Sequence, residues 1–160
     1  MARNWSFIQL SEIHAEPERV WRRVVTPEGI NDEMRPWMSM SLPEPRGRPE
    51  LSIDTVPVGV PLGRATLRLF GVVPFDYDAL TIAELEPGRR FREESTMLSM
   101  RSWVHDRTVE PTDAGSTLVT DRVSMTPRVL FTPAAPLLLR LIAAFFAHRH
   151  RRLATYFARG

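Results

Sequence analysis

After about residue 50 apolar and polar residues alternate in short runs separated by proline, glycine and serine turns, a pattern that predicts strands rather than helices. The runs fall at 50–56, 63–71, 75–86, 90–98, 101–111 and 116–126. Ahead of them, Trp5 to His14 places Phe7, Ile8 and Leu10 among polar residues and predicts a first strand. Pro17 then opens a helix with Glu16 and Glu18 at its positive end, and Val20, Trp21 and Val24 share one face. Thr26 caps a second short helix that has Pro27 in its first turn and ends near Met34. The proline-rich stretch 36–49 has little periodicity and reads as a loop with local structure.

From Leu137 to Phe157 there is neither glycine nor proline. Leu138, Leu141, Ile142, Phe145, Leu153, Tyr156 and Phe157 recur at three- and four-residue spacings, which predicts one long helix with a broad apolar face. Its apolar stretch of about fourteen residues carries Arg140 and is shorter than the roughly 20 residues of a bilayer span, so it is expected to pack on the protein.

Most loops between the runs are of hairpin length, so the strands are expected to pair antiparallel. The predicted architecture is α+β: about seven antiparallel strands curved around a long C-terminal helix, with two short helices between strands 1 and 2. A sheet gripping a helix in this way leaves room for a cavity between them.

Composition narrows the chemistry. The 160 residues, 43% hydrophobic and 25% charged, suit one folded domain over 1–160 and exclude a disordered chain. Cysteine is absent and all 21 basic residues are arginine, which removes thiolate, disulfide, lysine Schiff-base and P-loop lysine chemistry. A net charge of +2 gives little support to nucleic-acid binding. Met1 to Leu10 lacks the apolar core of a signal peptide, so a cytoplasmic location is expected. There is no HExxH, GxGxxG, Walker or GxSxG pattern, and neither a metal nor a cofactor is expected. Gly59 to Gly63 reads as a hairpin loop at the cavity mouth. His148 to Arg152 reads as a solvated helix end or a set of local salt bridges.

Three runs carry a resemblance: HAEPERVWRRVVTPEGIN, PFDYDALTIAELEPGRRFREESTM, and WVHDRTVEPTDAGSTLVTDRV ahead of HRHRRL. With the order of elements, they resemble the SRPBCC superfamily of START-like and birch-allergen-like helix-grip proteins. The last two runs are similar to a bacterial subgroup of uncharacterised ligand-binding members sometimes labelled cell-division-inhibitor-like. The resemblance implies a helix-grip fold and a hydrophobic or amphipathic small-molecule ligand. It implies no particular reaction, because the superfamily has no universal catalytic motif.

Candidate polar chemistry lies in the last three strands. Phe91, Glu93, Ser95 and Met97 share an inward face, as do Trp103, His105, Arg107 and Val109, and Val119, Asp121, Val123 and Met125. Pairing Val109 with Thr117 sets His105 opposite Asp121, and pairing Met97 with Arg101 sets Glu93 opposite His105. A shift of two residues would set Arg107 opposite Asp121 instead. Buried carboxylates need partners, and His105 and Arg107 are at hand. The row reads either as a satisfied network that fixes register or as polar anchors for a ligand. Between two carboxylates the pKa of His105 is expected to rise.

The candidate ligand-binding residues are therefore Glu93, His105, Arg107 and Asp121, with Met97, Trp103, Trp37 and Phe145 as apolar wall. The leading expectation is binding of a hydrophobic small molecule. The alternatives are a polyketide aromatase/cyclase-type enzyme moving protons through His105, and a protein-interaction module.

Overall fold

The computed structural model describes residues 2–42 and 52–160. Strand β1 (Trp5–Ile13) leads into helices α1 (Pro17–Val24) and α2 (Pro27–Met34). Strands β2 (Met38–Ser41), β3 (Pro61–Leu69), β4 (Val73–Glu86), β5 (Arg90–Met97), β6 (Met100–Pro111) and β7 (Thr117–Pro127) follow, and helix α3 (Ala135–Ala158) ends the chain. The strands form a single seven-stranded antiparallel sheet in the order β1-β7-β6-β5-β4-β3-β2. It curls around α3, with α1 and α2 between the first two strands.

The short helices start as their sequences require. Pro17 and Pro27 occupy first turns, and the Thr26 hydroxyl accepts the Gly29 N–H at 3.1 Å. A Cβ on Gly29 would lie 1.8 Å from the Arg23 carbonyl oxygen, so only glycine lets α2 fold back on the end of α1.

Two readings of local structure change. The predicted strand at 50–56 begins outside the described residues, and its described part forms a single 3₁₀ turn, Ile53–Thr55. The Val25 carbonyl accepts the Ile53 N–H at 2.9 Å and the Ser52 hydroxyl at 3.2 Å, which ties this turn to the end of α1 and buries Ile53 and Val56. The seventh strand is β2, four residues inside the stretch read as a loop. Its unpaired edge is met by Asn31, whose Oδ1 accepts the Met40 N–H at 2.7 Å and whose Nδ2 donates to the Met40 carbonyl at 2.9 Å. A side chain thus completes an edge strand too short to be read from alternation. The rest of the proline-rich stretch, 43–49, lies outside the described residues.

The C-terminal helical segment is longer than its spacing predicted. A 3₁₀ turn, Val129–Ala134, runs into α3, and the 30 residues from Val129 to Ala158 are long and apolar enough to cross a bilayer by length and composition. The helix nevertheless packs on the sheet through Ala135, Phe146, Arg149, His150 and Leu153.

The core has two parts. One gathers Val20, Trp21 and Val24 of α1 with Ile82, Val119 and Leu153, and the other gathers Met97, Met100, Trp103, Val123, Met125 and Phe146.

Candidate functional site

The turn between β6 and β7 sets the register of the polar row. The Thr112 N–H donates to the Ser116 carbonyl at 2.9 Å, and Gly115 adopts φ +79°, a left-handed conformation suited to glycine. The tight turn pairs Pro111 with Thr117, so Arg107 lies opposite Asp121 and His105 opposite Val123. The pairing of His105 with Asp121 inferred from a wider turn is thus displaced by two residues. Glu93 does lie opposite His105.

Asp121 still gathers the cluster, because its carboxylate reaches diagonally as well as across. Arg107 donates to it twice, from Nε to Oδ1 at 2.7 Å and from a terminal nitrogen to Oδ2 at 2.6 Å. His105 Nε2 lies 2.7 Å from Oδ1, and His150 Nε2 of α3 lies 2.7 Å from Oδ2. The other guanidinium nitrogen of Arg107 donates to Glu33 of α2 at 2.7 Å, and Arg149 of α3 donates to the second oxygen of Glu33 at 3.0 Å. The Ser11 hydroxyl of β1 meets His150 Nδ1 at 2.6 Å. The chain of contacts therefore joins β1, β6, β7, α2 and α3, and all its charged members are buried.

Each charge state follows from these neighbours. Burial alone would raise the Asp121 pKa, but the charges of Arg107 and His105 outweigh it and hold the carboxyl well below its usual range. Burial opposes the charged form of Arg107, yet Asp121 and Glu33 keep it firmly protonated. For His105 burial again acts downward, and the Asp121 carboxylate overcomes it and moves the imidazole up. Glu93, whose Oε2 lies 3.8 Å from His105 Nδ1 and whose Oε1 accepts the Ser95 hydroxyl at 2.9 Å, is lowered despite its burial. Three carboxylates, Glu33, Glu93 and Asp121, thus face Arg107, Arg149 and His105, so each buried acid has a basic side chain within reach.

Asp78 of β4 departs from this balance. It is 1% exposed, its Oδ1 has no hydrogen-bond partner among the described residues, and burial followed by the negative charge of Glu93 raises its pKa well above the usual carboxylate value. Burial thus favours its neutral form.

Beyond this network, between the sheet and the first half of α3, lies a cavity of about 350 Å³. Met38, Met40, Met97, Met100, Ile142 and Phe145 supply apolar wall, and Asp78, Glu93, His105 and Arg149 supply polar groups on its boundary. Phe75 and Leu98, 44% and 54% exposed, border it toward solvent. His105 is packed edge-on between Phe91 and Phe146, with ring centroids 5.6 and 5.1 Å away. No group of metal-ligating side chains with the geometry of a site occurs among the described residues.

A family described only as a domain of unknown function, DUF8410, matches residues 11–157. The chain belongs to the DUF8410 family. No curated protein matches it. Among solved structures, this DUF8410 chain is similar to a START superfamily protein from Mycobacterium smegmatis at 9% identity and a TM-score of 0.67, over 96% of this chain and 97% of the other. Ara h 8.0201 matches with 11% identity and a TM-score of 0.67, over 99% and 100% of the two chains. A protein from Chromobacterium violaceum matches with 17% identity and a TM-score of 0.63, over 95% and 96%. The DUF8410 chain thus has the SRPBCC helix-grip fold, and identities this low speak to fold alone.

Glu93, His105, Met97, Trp103 and Phe145 border the cavity, whereas Arg107 and Asp121 do not line it and connect to its wall through His105 and, by way of Glu33, Arg149. Trp37 stands outside the cavity lining, half exposed, against Phe70 and His148 at centroid distances of 6.2 Å each. The helix end read as solvated or locally salt-bridged is corrected: Arg149 and His150 are buried and pair with Glu33 and Asp121, distant in the chain, while Arg151 is exposed. Glu33 and Asp78 were not singled out from sequence. Glu33 sits in a short helix whose inward face depends on where α3 lies. Asp78 shares an inward face with Leu80 and Ile82 in β4, and a carboxylate in that alternation was the available signal.

Proposed function

We propose that the protein binds a hydrophobic or amphipathic small molecule in the cavity between the sheet and α3, as one domain spanning the chain and working in the cytoplasm. The observation that carries this reading is a hollow of about 350 Å³ between the sheet and α3, walled by methionine and aromatic side chains with a few polar groups at its boundary. Methionine adapts to irregular apolar shapes, and fixed polar groups orient a ligand. The START superfamily neighbour, through its fold, lends support.

The test is titration with the fluorescent apolar probe N-phenylnaphthylamine. Ile142→Trp fills the cavity from α3 and is expected to weaken probe binding by about tenfold or more while the thermal midpoint stays near that of the parent. Equal probe binding by both proteins would overturn the reading.

A second reading has one observation in its favour: His105 borders the cavity, and the Asp121 carboxylate beside it raises its pKa, which favours an acid next to any bound molecule. Proton transfer of the polyketide aromatase/cyclase type would give a bell-shaped pH-rate profile on an enolisable polyketide mimic, lost in His105→Gln. No turnover of such mimics would remove it.

A further inference from the structure

The apolar residues left in water are unevenly distributed. The β3–β4 turn, the β5–β6 turn and the exit of β7 lie at one end of the antiparallel sheet, where Leu69 pairs with Val73 and Met100 pairs with Pro127. At this end Val129 is 89% exposed, Leu130 82%, Val72 73%, Phe70 60%, Leu137 59% and Leu141 58%. Phe75, Leu98, Phe131 and Leu138 join these elements around the cavity, so the exposed surface is continuous with its rim. A cluster this apolar on four neighbouring segments is more than the scattered exposure usual for a soluble surface.

Arginine also gathers at this end. Arg35, Arg101, Arg128 and Arg140 are exposed at or beside the apolar end. Asp76 there is spent internally, accepting the Leu98 N–H at 2.8 Å and the Ser99 hydroxyl. The opposite end of the sheet carries Glu12, Glu86, Glu110 and Asp113 together with Arg89, which pairs with Glu110 at 3.6 Å. Aliphatic and aromatic side chains ringed by arginine, with the carboxylates turned away, complement the apolar boundary and negative headgroups of an anionic bilayer.

We infer that the end of the molecule formed by the β3–β4 turn, the segment Val129–Phe131 and the start of α3 docks on the surface of an anionic phospholipid membrane, with the cavity rim facing the lipid. Val129, Leu130 and Val72 enter the acyl boundary while Arg101 and Arg140 meet phosphate groups. Docking is superficial, because Arg149 and His150 anchor the second half of α3 in the sheet. This surface would exist whether or not the cavity holds a ligand.

Co-sedimentation of the full chain with vesicles of equal phosphatidylcholine and phosphatidylglycerol tests it, with pure phosphatidylcholine as reference. The parent protein is expected to bind the mixed vesicles, and more weakly the neutral ones. The double variant Val72→Ser/Leu130→Ser and the double variant Arg101→Glu/Arg140→Glu should each lose about tenfold in partitioning. Glu110→Gln/Asp113→Asn at the far end should leave it unchanged. Thermal midpoints near that of the parent confirm that the variants fold, since every altered residue is at least partly exposed. Failure of the parent to bind mixed vesicles, or equal losses at both ends, would overturn the inference. So would light scattering that shows a dimer dissociated by Val72→Ser/Leu130→Ser, which would assign this surface to a second copy of the chain.

Discussion

The two halves of α3 meet the same sheet in opposite ways. Around Arg149 and His150 the space is filled by ions: Asp121, Glu33 and Arg107 hold the helix to β6, β7 and α2 through contacts of 2.6 to 3.0 Å. Around Leu138, Ile142 and Phe145 the helix stands off the sheet and leaves the cavity. Buried ions demand fixed geometry, because a misplaced partner leaves a charge without solvent or counter-charge. Apolar walls make no such demand. The first half of the grip can therefore stay hollow because the second half fixes where the helix lies.

The largest expected effect comes from removing the hub. Asp121→Ala strips Arg107, His105 and His150 of their shared acceptor and should cost about 4 kcal/mol in urea unfolding. A loss near zero would mean that the network does not hold α3. Phe146→Ala, at the junction of the two halves, should cost about 3 kcal/mol in the same measurement, because its ring is 2% exposed and packs on Phe7, Trp103 and His105. Arg149→Met leaves Glu33 with one of its two arginines and should cost about 2 kcal/mol.

Smaller effects separate the halves by pH. The pKa of His105 is raised, so its contribution to stability is complete below the unfolded value of about 6.5 and is lost as pH rises through the folded value. Asp78 acts in the same direction from lower pH, its contribution falling away above about 3.9, because the neutral acid is the form its site accepts. Asp121 is lowered and acts oppositely, losing its contribution as pH falls through its folded value. From His105 and Asp78 the thermal midpoint should therefore decline as pH rises from mild acid through neutrality. His105→Gln should remove the part of that decline nearest neutrality, and Asp78→Asn the part that begins in mild acid. An unchanged profile in both would show that neither group titrates with folding. The smallest effect is expected at the rim: Leu130→Ser, 82% exposed, should change unfolding free energy by no more than about 0.5 kcal/mol.

Where sequence reading succeeded, the signals were local. Period-two alternation placed Phe91, Glu93, Ser95 and Met97 on one face, and all four are buried. Proline, threonine and acidic residues marked α1 and α2. Where it failed, the deciding contact came from elsewhere in the chain. The turn Ile53–Thr55 replaces a predicted strand because Val25 offers a carbonyl to it, and β2 exists because β3 and Asn31 pair with its two edges. His150 and Arg149 read as a solvated or locally salt-bridged helix end because nothing near them in sequence shows that Asp121 and Glu33 lie opposite.

By itself the sequence determined the order of helices and strands, the antiparallel pairing and the inward row of ionisable side chains, since each depends on residues a few positions apart. The register at Asp121 was set by the tight turn between β6 and β7, whereas tertiary structure decided the recruitment of Glu33, Arg149 and His150, the burial of Asp78, and the division of α3 into a filled half and a hollow half. Those features depend on distances between segments separated by up to 139 positions, the span that joins Ser11 to His150. Such distances are set only when the whole sheet has closed on its helix.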